Sequence, residues 1–74
     1  MTLTNLPIGA KAKVVAVHGN SAITKRLMEM GVVPGVSLTM IKTAPFGDPL
    51  EVRVRGYHLA MRRNEADVIE ITSE

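Results

Sequence analysis

Two histidines, His18 and His58, come first as candidates for chemistry, because imidazole changes charge near neutral pH and ligates metals. Each stands beside apolar neighbours, with no acid at triad-like spacing. Ser21, Ser37 and Ser73 lack the flanking glycines of a nucleophile elbow. Asp48 and Glu51 could form a carboxylate pair, but only as surface residues. No glycine-rich loop opens a helix to cradle phosphate, since Gly19 stands alone. Cysteine is absent, so thiolate nucleophiles, thiolate metal sites and disulfides are all excluded. These residues assemble no catalytic centre, and the chain reads as a non-enzyme without a cofactor. His18, His58, Asp48, Glu51, Glu65, Asp67 and Glu70 could each ligate a transition metal, yet none falls at a recognised ligand spacing. No metal residue is assigned, and direct transition-metal binding stays an alternative.

Binding chemistry is better represented. Arg53 and Arg55 share the outward face of one predicted strand, and Arg62 and Arg63 follow on its predicted partner. With Lys42 they could attract phosphate, which gives a small nucleic-acid-binding barrel as a second alternative. Single-strand binders also use aromatic platforms, and this chain has only Phe46 and Tyr57. That shortage makes nucleic acid the weaker reading and also removes an aromatic groove for proline-rich peptides. Three residues instead suggest a protein contact. Lys25 and Met28 project off the apolar stripe of a predicted helix, where an adaptable Met suits a partner surface and a half-buried spacer is the plain reading. Phe46 tips the proline-stiffened segment Ala44-Pro45-Phe46-Gly47-Asp48-Pro49, either as a docking knob or folded over a barrel mouth.

The elements that must position these residues are short. With 74 residues the chain holds one domain, spanning 1–74. Apolar residues make up 46%, enough for a core, and the net charge of +2 demands no polyanionic partner. Met1–Asn5 has no basic stretch or long apolar core, and no run approaches the ~20 apolar residues of a membrane span, so a cytoplasmic location without membrane insertion is expected. Lys11–Val17 reads as a strand, rich in β-branched valines but with imperfect alternation. Asn20 or Ser21 caps a helix from Ala22 to Met30, with Ile23, Leu27 and Met30 on one face. Gly31 sits at the left-handed C-terminal cap, Pro34 follows, and Gly35 lets the chain reverse. Strands follow over Val36–Thr43 and Leu50–Arg55, divided by a loop shaped by Gly47, Asp48 and Pro49. Gly56-Tyr57 reads as the hairpin turn, setting Val54 against Leu59, Val52 against Met61 and Glu51 against Arg62, because an Arg55-Gly56 turn would need a left-handed arginine. A polar corner over Asn64–Asp67 and a last strand over Val68–Thr72 complete the chain. Five short strands and one helix between the first two predict a mostly-β fold, a small SH3-like antiparallel barrel closed to hide its edges.

The ordered set Leu3…Leu6…Gly9, Ala12–Val17, Arg26-Leu27-Met28-Glu29-Met30-Gly31-Val32-Val33-Pro34-Gly35, Pro45-Phe46-Gly47-Asp48-Pro49-Leu50 and Gly56…Leu59-Ala60-Met61-Arg62-Arg63…Glu65-Ala66…Ile69 closely resembles the bacterial family of ferrous-iron transport protein A, FeoA. The match covers nearly the whole chain, and Met61 standing where a leucine is common is a small departure. The resemblance implies a cytoplasmic SH3-like barrel that supports ferrous iron uptake by contacting a large membrane permease of the FeoB type, through that permease's G-protein-like domain. Similar barrels end iron-dependent repressors, but the DNA-binding and dimerisation domains of those repressors are not in this chain, which favours the stand-alone reading. The motif consists of glycines and apolar residues, so it carries no metal ligands over. Gly31, Pro34, Gly35, Gly47, Asp48, Pro49 and Gly56 read as scaffold.

Overall fold

The computed structural model describes residues 1–19 and 21–74, so of the two candidate helix caps Asn20 lies outside the described residues. The element order is a 3₁₀ turn at Leu3–Asn5, β1 at Lys11–Val17, α1 at Ala22–Glu29, β2 at Ser37–Thr43, β3 at Leu50–Val54, β4 at Tyr57–Met61, α2 at Arg63–Ala66 and β5 at Ile69–Ser73. All strand pairings are antiparallel, in the order β4-β3-β2-β1-β5. This is the expected five-strand, mostly-β architecture with its helix between the first two strands.

Alternation builds the core where it was cleanest. Leu50, Val52 and Val54 of β3, Leu38 and Met40 of β2, and Ile69 and Ile71 of β5 all point inward and are buried. Leu27 of α1 closes one end of this core, and Leu3 and Leu6 pack into it beside the first turn. The irregular alternation of β1 has a structural cause. Its register against β5 shifts between Val14 and Ala16, which is a bulge. Val15 is the extra residue and stays outside, while Val17 turns toward the core opposite Ile69. A second bulge in β2 lies between Met40 and Lys42. Bulges bend and twist the strands that carry them. Two of them let five short strands curl around one core.

The barrel is not closed by a ladder. Among the described residues β4 and β5 are the two ends of the sheet, joined in sequence by α2. The outer edge of β5 is instead covered by the N-terminal segment, through a bridge of Thr2 with Glu70 and a bond from the Ile71 amide to the Met1 carbonyl of 2.8 Å. Covering an edge satisfies its backbone groups as closure would.

The hairpin differs from expectation. Its turn is Arg55-Gly56, with φ of 50° at Arg55 and 86° at Gly56. Val54 therefore pairs with Tyr57, Val52 with Leu59 and Leu50 with Met61, and Glu51 faces Ala60 rather than Arg62. A left-handed arginine costs about 1–2 kcal/mol. Two successive positive φ angles give the primed turn whose twist matches that of the strands. The register it sets also places buried Met61 across from buried Leu50. The shift is two residues, so each side chain kept its face.

Candidate functional site

The end of α1 is built by a full Schellman motif. The Gly31 amide donates to the Met28 carbonyl at 3.1 Å and the Val32 amide to the Leu27 carbonyl at 3.0 Å. Gly31 has φ of 98°, as this cap requires. At the other end the Ser21 hydroxyl accepts from the Thr24 amide at 3.4 Å. Side chains on this short helix stand about 100° apart. Leu27 and Thr24 face the core, Ile23 and Met30 pack beside them, and Lys25 and Glu29 point away. Met28 falls on the Thr24 flank and Arg26 on the opposite one.

Met28 is 43% exposed and belongs to a shallow, open, mostly apolar groove with Gly19, Ser21, Thr24, Lys25 and Glu29. The Thr24 hydroxyl at this groove is already satisfied, since it donates to the His18 carbonyl at 2.8 Å. Of the two readings of Met28, the exposed one describes the structure. Lys25 and Met28 are thus brought together on one flank.

Phe46 is 99% exposed, so it does not fold over the barrel mouth. Its loop is nevertheless fixed. The Gly47 amide donates to the Ala44 carbonyl at 2.7 Å, and the Ala44 amide to the Pro49 carbonyl at 3.0 Å. Arg63 clamps the far side: its backbone amide donates to Asp48 Oδ1 and its Nη1 to the Gly47 carbonyl, both at 3.0 Å. Because Arg63 belongs to α2, which meets the Arg26 flank of α1, Phe46 is not part of the Met28 groove.

Two residues that organise these surfaces were not singled out from sequence. Glu65 is buried on α2, where it accepts from the Arg62 amide at 2.7 Å and from the Arg26 guanidinium. The sequence presents it as a generic ligand and as one member of the FeoA-like set, with no anchoring role assigned. The Arg62-x-x-Glu65 spacing, in which the fourth residue reaches back to the cap amide, was the available signal. Tyr57 donates its hydroxyl to the Met30 carbonyl, tying the hairpin to the end of α1. Gly31 leaves room for that contact, since a Cβ there would lie 3.3 Å from the Tyr57 oxygen.

The remaining candidates are dispersed. His18 Nε2 meets Glu70 Oε1 at 2.7 Å, and His58 Nδ1 meets Glu51 Oε2 at 2.9 Å, with Lys42 Nζ 4.0 Å from Glu51. Among the described residues no three His, Asp or Glu side chains converge on one point. Arg53 and Arg55 lie at the turn end of the hairpin, while Arg62 and Arg63 lie beyond the other end of β4. The five residues of β4 span about 17 Å, so the four arginines form two groups rather than one patch. Pro34 and Gly35 form the centre of a turn closed by the Val36 amide on the Val33 carbonyl at 3.1 Å, and Gly56 is the second rather than first central residue of its hairpin.

Comparison with known proteins gives this geometry a family. The FeoA domain family model matches residues 1–73. A curated relative, a fusion of Fe(2+) transport protein A with the Fe(2+) transporter FeoB from Porphyromonas gingivalis, is 38% identical over 71 residues. That alignment takes in 96% of this chain but only 8% of the fusion protein. The solution structure of FeoA from Chlorobium tepidum superimposes with a TM-score of 0.91 at 42% identity, covering 99% of this chain and 70% of that one. FeoA of Stenotrophomonas maltophilia, solved with zinc and described as a prokaryotic SH3 domain protein, gives 0.86 at 38% identity, covering 97% and 89%. The five-stranded barrel, its capped helix and its Gly- and Pro-built turns therefore have a shared origin: the chain belongs to the FeoA family, which is associated with ferrous iron transport.

Proposed function

We propose that this chain is a non-enzymatic accessory module of bacterial ferrous iron uptake that docks, on the cytoplasmic side, against the G-protein-like part of a FeoB-type permease. The observation that supports it most is the display of two separate apolar groups, an exposed Phe46 on a hydrogen-bonded loop and an open apolar groove around Met28. A group fixed before binding loses little entropy when it docks. Fusion of a relative to its transporter supports the same association, because a tether raises the local concentration of a weak partner. No helix of the described residues is long and apolar enough to cross a membrane.

The proposal assigns the contact to Lys25, Met28 and Phe46. Titration of the permease's purified cytoplasmic domain with Met28→Ala, Phe46→Ala and Lys25→Glu variants tests it. At least one apolar truncation is expected to weaken binding tenfold or more, roughly the threshold of an interface hot spot. Parent-like binding by all three would show that the contact lies elsewhere. The nucleic-acid alternative needs one continuous basic face, and the division of the arginines into two groups does not favour it.

A further inference from the structure

The chain carries both halves of a complementary contact on different faces. One half is a knob: Phe46, wholly exposed on a loop fastened by Arg63. The other is a hole: the open groove on α1 around Met28, whose polar floor atom is already bonded to the His18 carbonyl. The charges beside them match as well. Asp48 and Arg63, one acid and one base, flank the ring, and both are exposed. Lys25 and Glu29, one base and one acid, rim the groove about one helical turn apart.

Phe46 cannot reach the groove of its own chain, because its loop is bound to α2 on the Arg26 side of α1. We propose that Phe46 of one copy seats in the Met28 groove of a second copy, with Asp48 toward Lys25 and Arg63 toward Glu29 of that copy. The two faces differ, so the contact is heterologous: a pair of chains still offers one free knob and one free groove, and assembly can continue head to tail. An aromatic side chain buries about 150–250 Å². A stable interface buries about 1,200–2,000 Å² in total, so this contact is weak and concentration-dependent. It requires no permease, and it stands or falls independently of the docking proposed above. If both hold, they compete for the same residues.

The test uses the full chain alone, by sedimentation velocity and amide NMR between about 0.02 and 1 mM, a range that brackets weak association. The parent should gain apparent mass with concentration, with amide shifts moving both around Phe46 and around Lys25 and Met28. Phe46→Ala and Met28→Asp alter exposed side chains only, so both keep the parent's dispersed spectrum, and each alone should stay monomeric. Mixed in equal amounts they should associate again, because one retains the knob and the other the groove, and growth should stop at two chains. A parent that stays monomeric to 1 mM, either variant associating like the parent, or a mixture that fails to pair would each overturn the proposal.

Discussion

Replacing Glu65 with alanine should destabilise the domain more than any other single change at a charged residue. Its carboxylate is buried and holds two elements at once. Toward α2 it accepts the Arg62 amide at 2.7 Å, a charge-assisted bond whose loss costs about 1.5–3 kcal/mol because a backbone donor is left without a partner. Toward α1 it accepts the Arg26 guanidinium, whose side chain is 61% exposed. Water screens that half, so it adds at most about 1 kcal/mol. The sum is about 1.5–4 kcal/mol. In a domain this small each kcal/mol moves Tm by about 4–8 °C, so Tm should fall by about 6–30 °C. Urea unfolding should show the loss in the midpoint with an unchanged slope. Glu65→Gln keeps an acceptor for the Arg62 amide and should recover roughly half. A double-mutant cycle with Arg26→Ala should give a coupling below about 1 kcal/mol. If Glu65→Ala unfolds within about 0.5 kcal/mol of the parent, an ordinary surface substitution, the account of α2 as an anchored element is refuted.

Arg55→Asn should raise stability by about 1 kcal/mol, seen as a higher Tm, because asparagine accepts the left-handed conformation that Arg55 adopts and makes the preferred Asn-Gly turn. Tyr57→Phe should cost about 0.5–1.5 kcal/mol in urea unfolding, since it removes the hydroxyl that satisfies the Met30 carbonyl while keeping the ring. Leu27→Ala deletes a fully buried side chain at the junction of helix and barrel and should cost about 2–5 kcal/mol, enough to leave part of the chain unfolded at 37 °C by circular dichroism.

The parts of the fold that were legible are those fixed by neighbours in sequence. Leu50, Val52 and Val54 show a period of two with β-branched residues, and all three are buried in β3. Met30-Gly31 followed by Pro34 announced the end of α1, and the Schellman bonds form there. The bulges at Val15 and Ile41 were not legible, because an extra strand residue is decided by how the sheet must bend rather than by residue type. The hairpin was misread for a related reason. The local cost of a left-handed Arg55 is real, but the hairpin adopts the primed Arg55-Gly56 turn whose twist matches the strands, and strand twist is not a property of the turn residues alone. The same two-residue shift explains why the expected Glu51–Arg62 pair does not form and why Glu51 bonds His58 instead. At the candidate site, the sequence left Met28 between an exposed contact and a half-buried spacer and Phe46 between a docking knob and a fold over the barrel mouth, and only the packed structure shows both exposed. Their separation was not legible either, since it depends on Arg63 and Glu65 linking loop, α2 and α1 across the chain.

Three polar side chains make the difference between a core with loose attachments and a rigid display. The sheet and Leu27 account for the interior, but neither fixes the Phe46 loop nor the flank of α1. Tyr57 fastens the end of α1 to the hairpin, Glu65 fastens its Arg26 flank to α2, and Arg63 fastens the loop to the same short helix. Each bond crosses between elements far apart in sequence, and each ends on a backbone carbonyl or an opposite charge. A helix of eight residues does not persist by its own propensity, and an exposed loop gains nothing from the core. Held this way, both present apolar side chains from backbone that is already ordered. Any partner, whether a permease domain or another copy of the chain, then meets a surface whose backbone needs no ordering step. Loosening Arg63 or Glu65 should therefore weaken docking on a permease domain through the cost of fixing the surface, even though neither side chain is assigned to that contact.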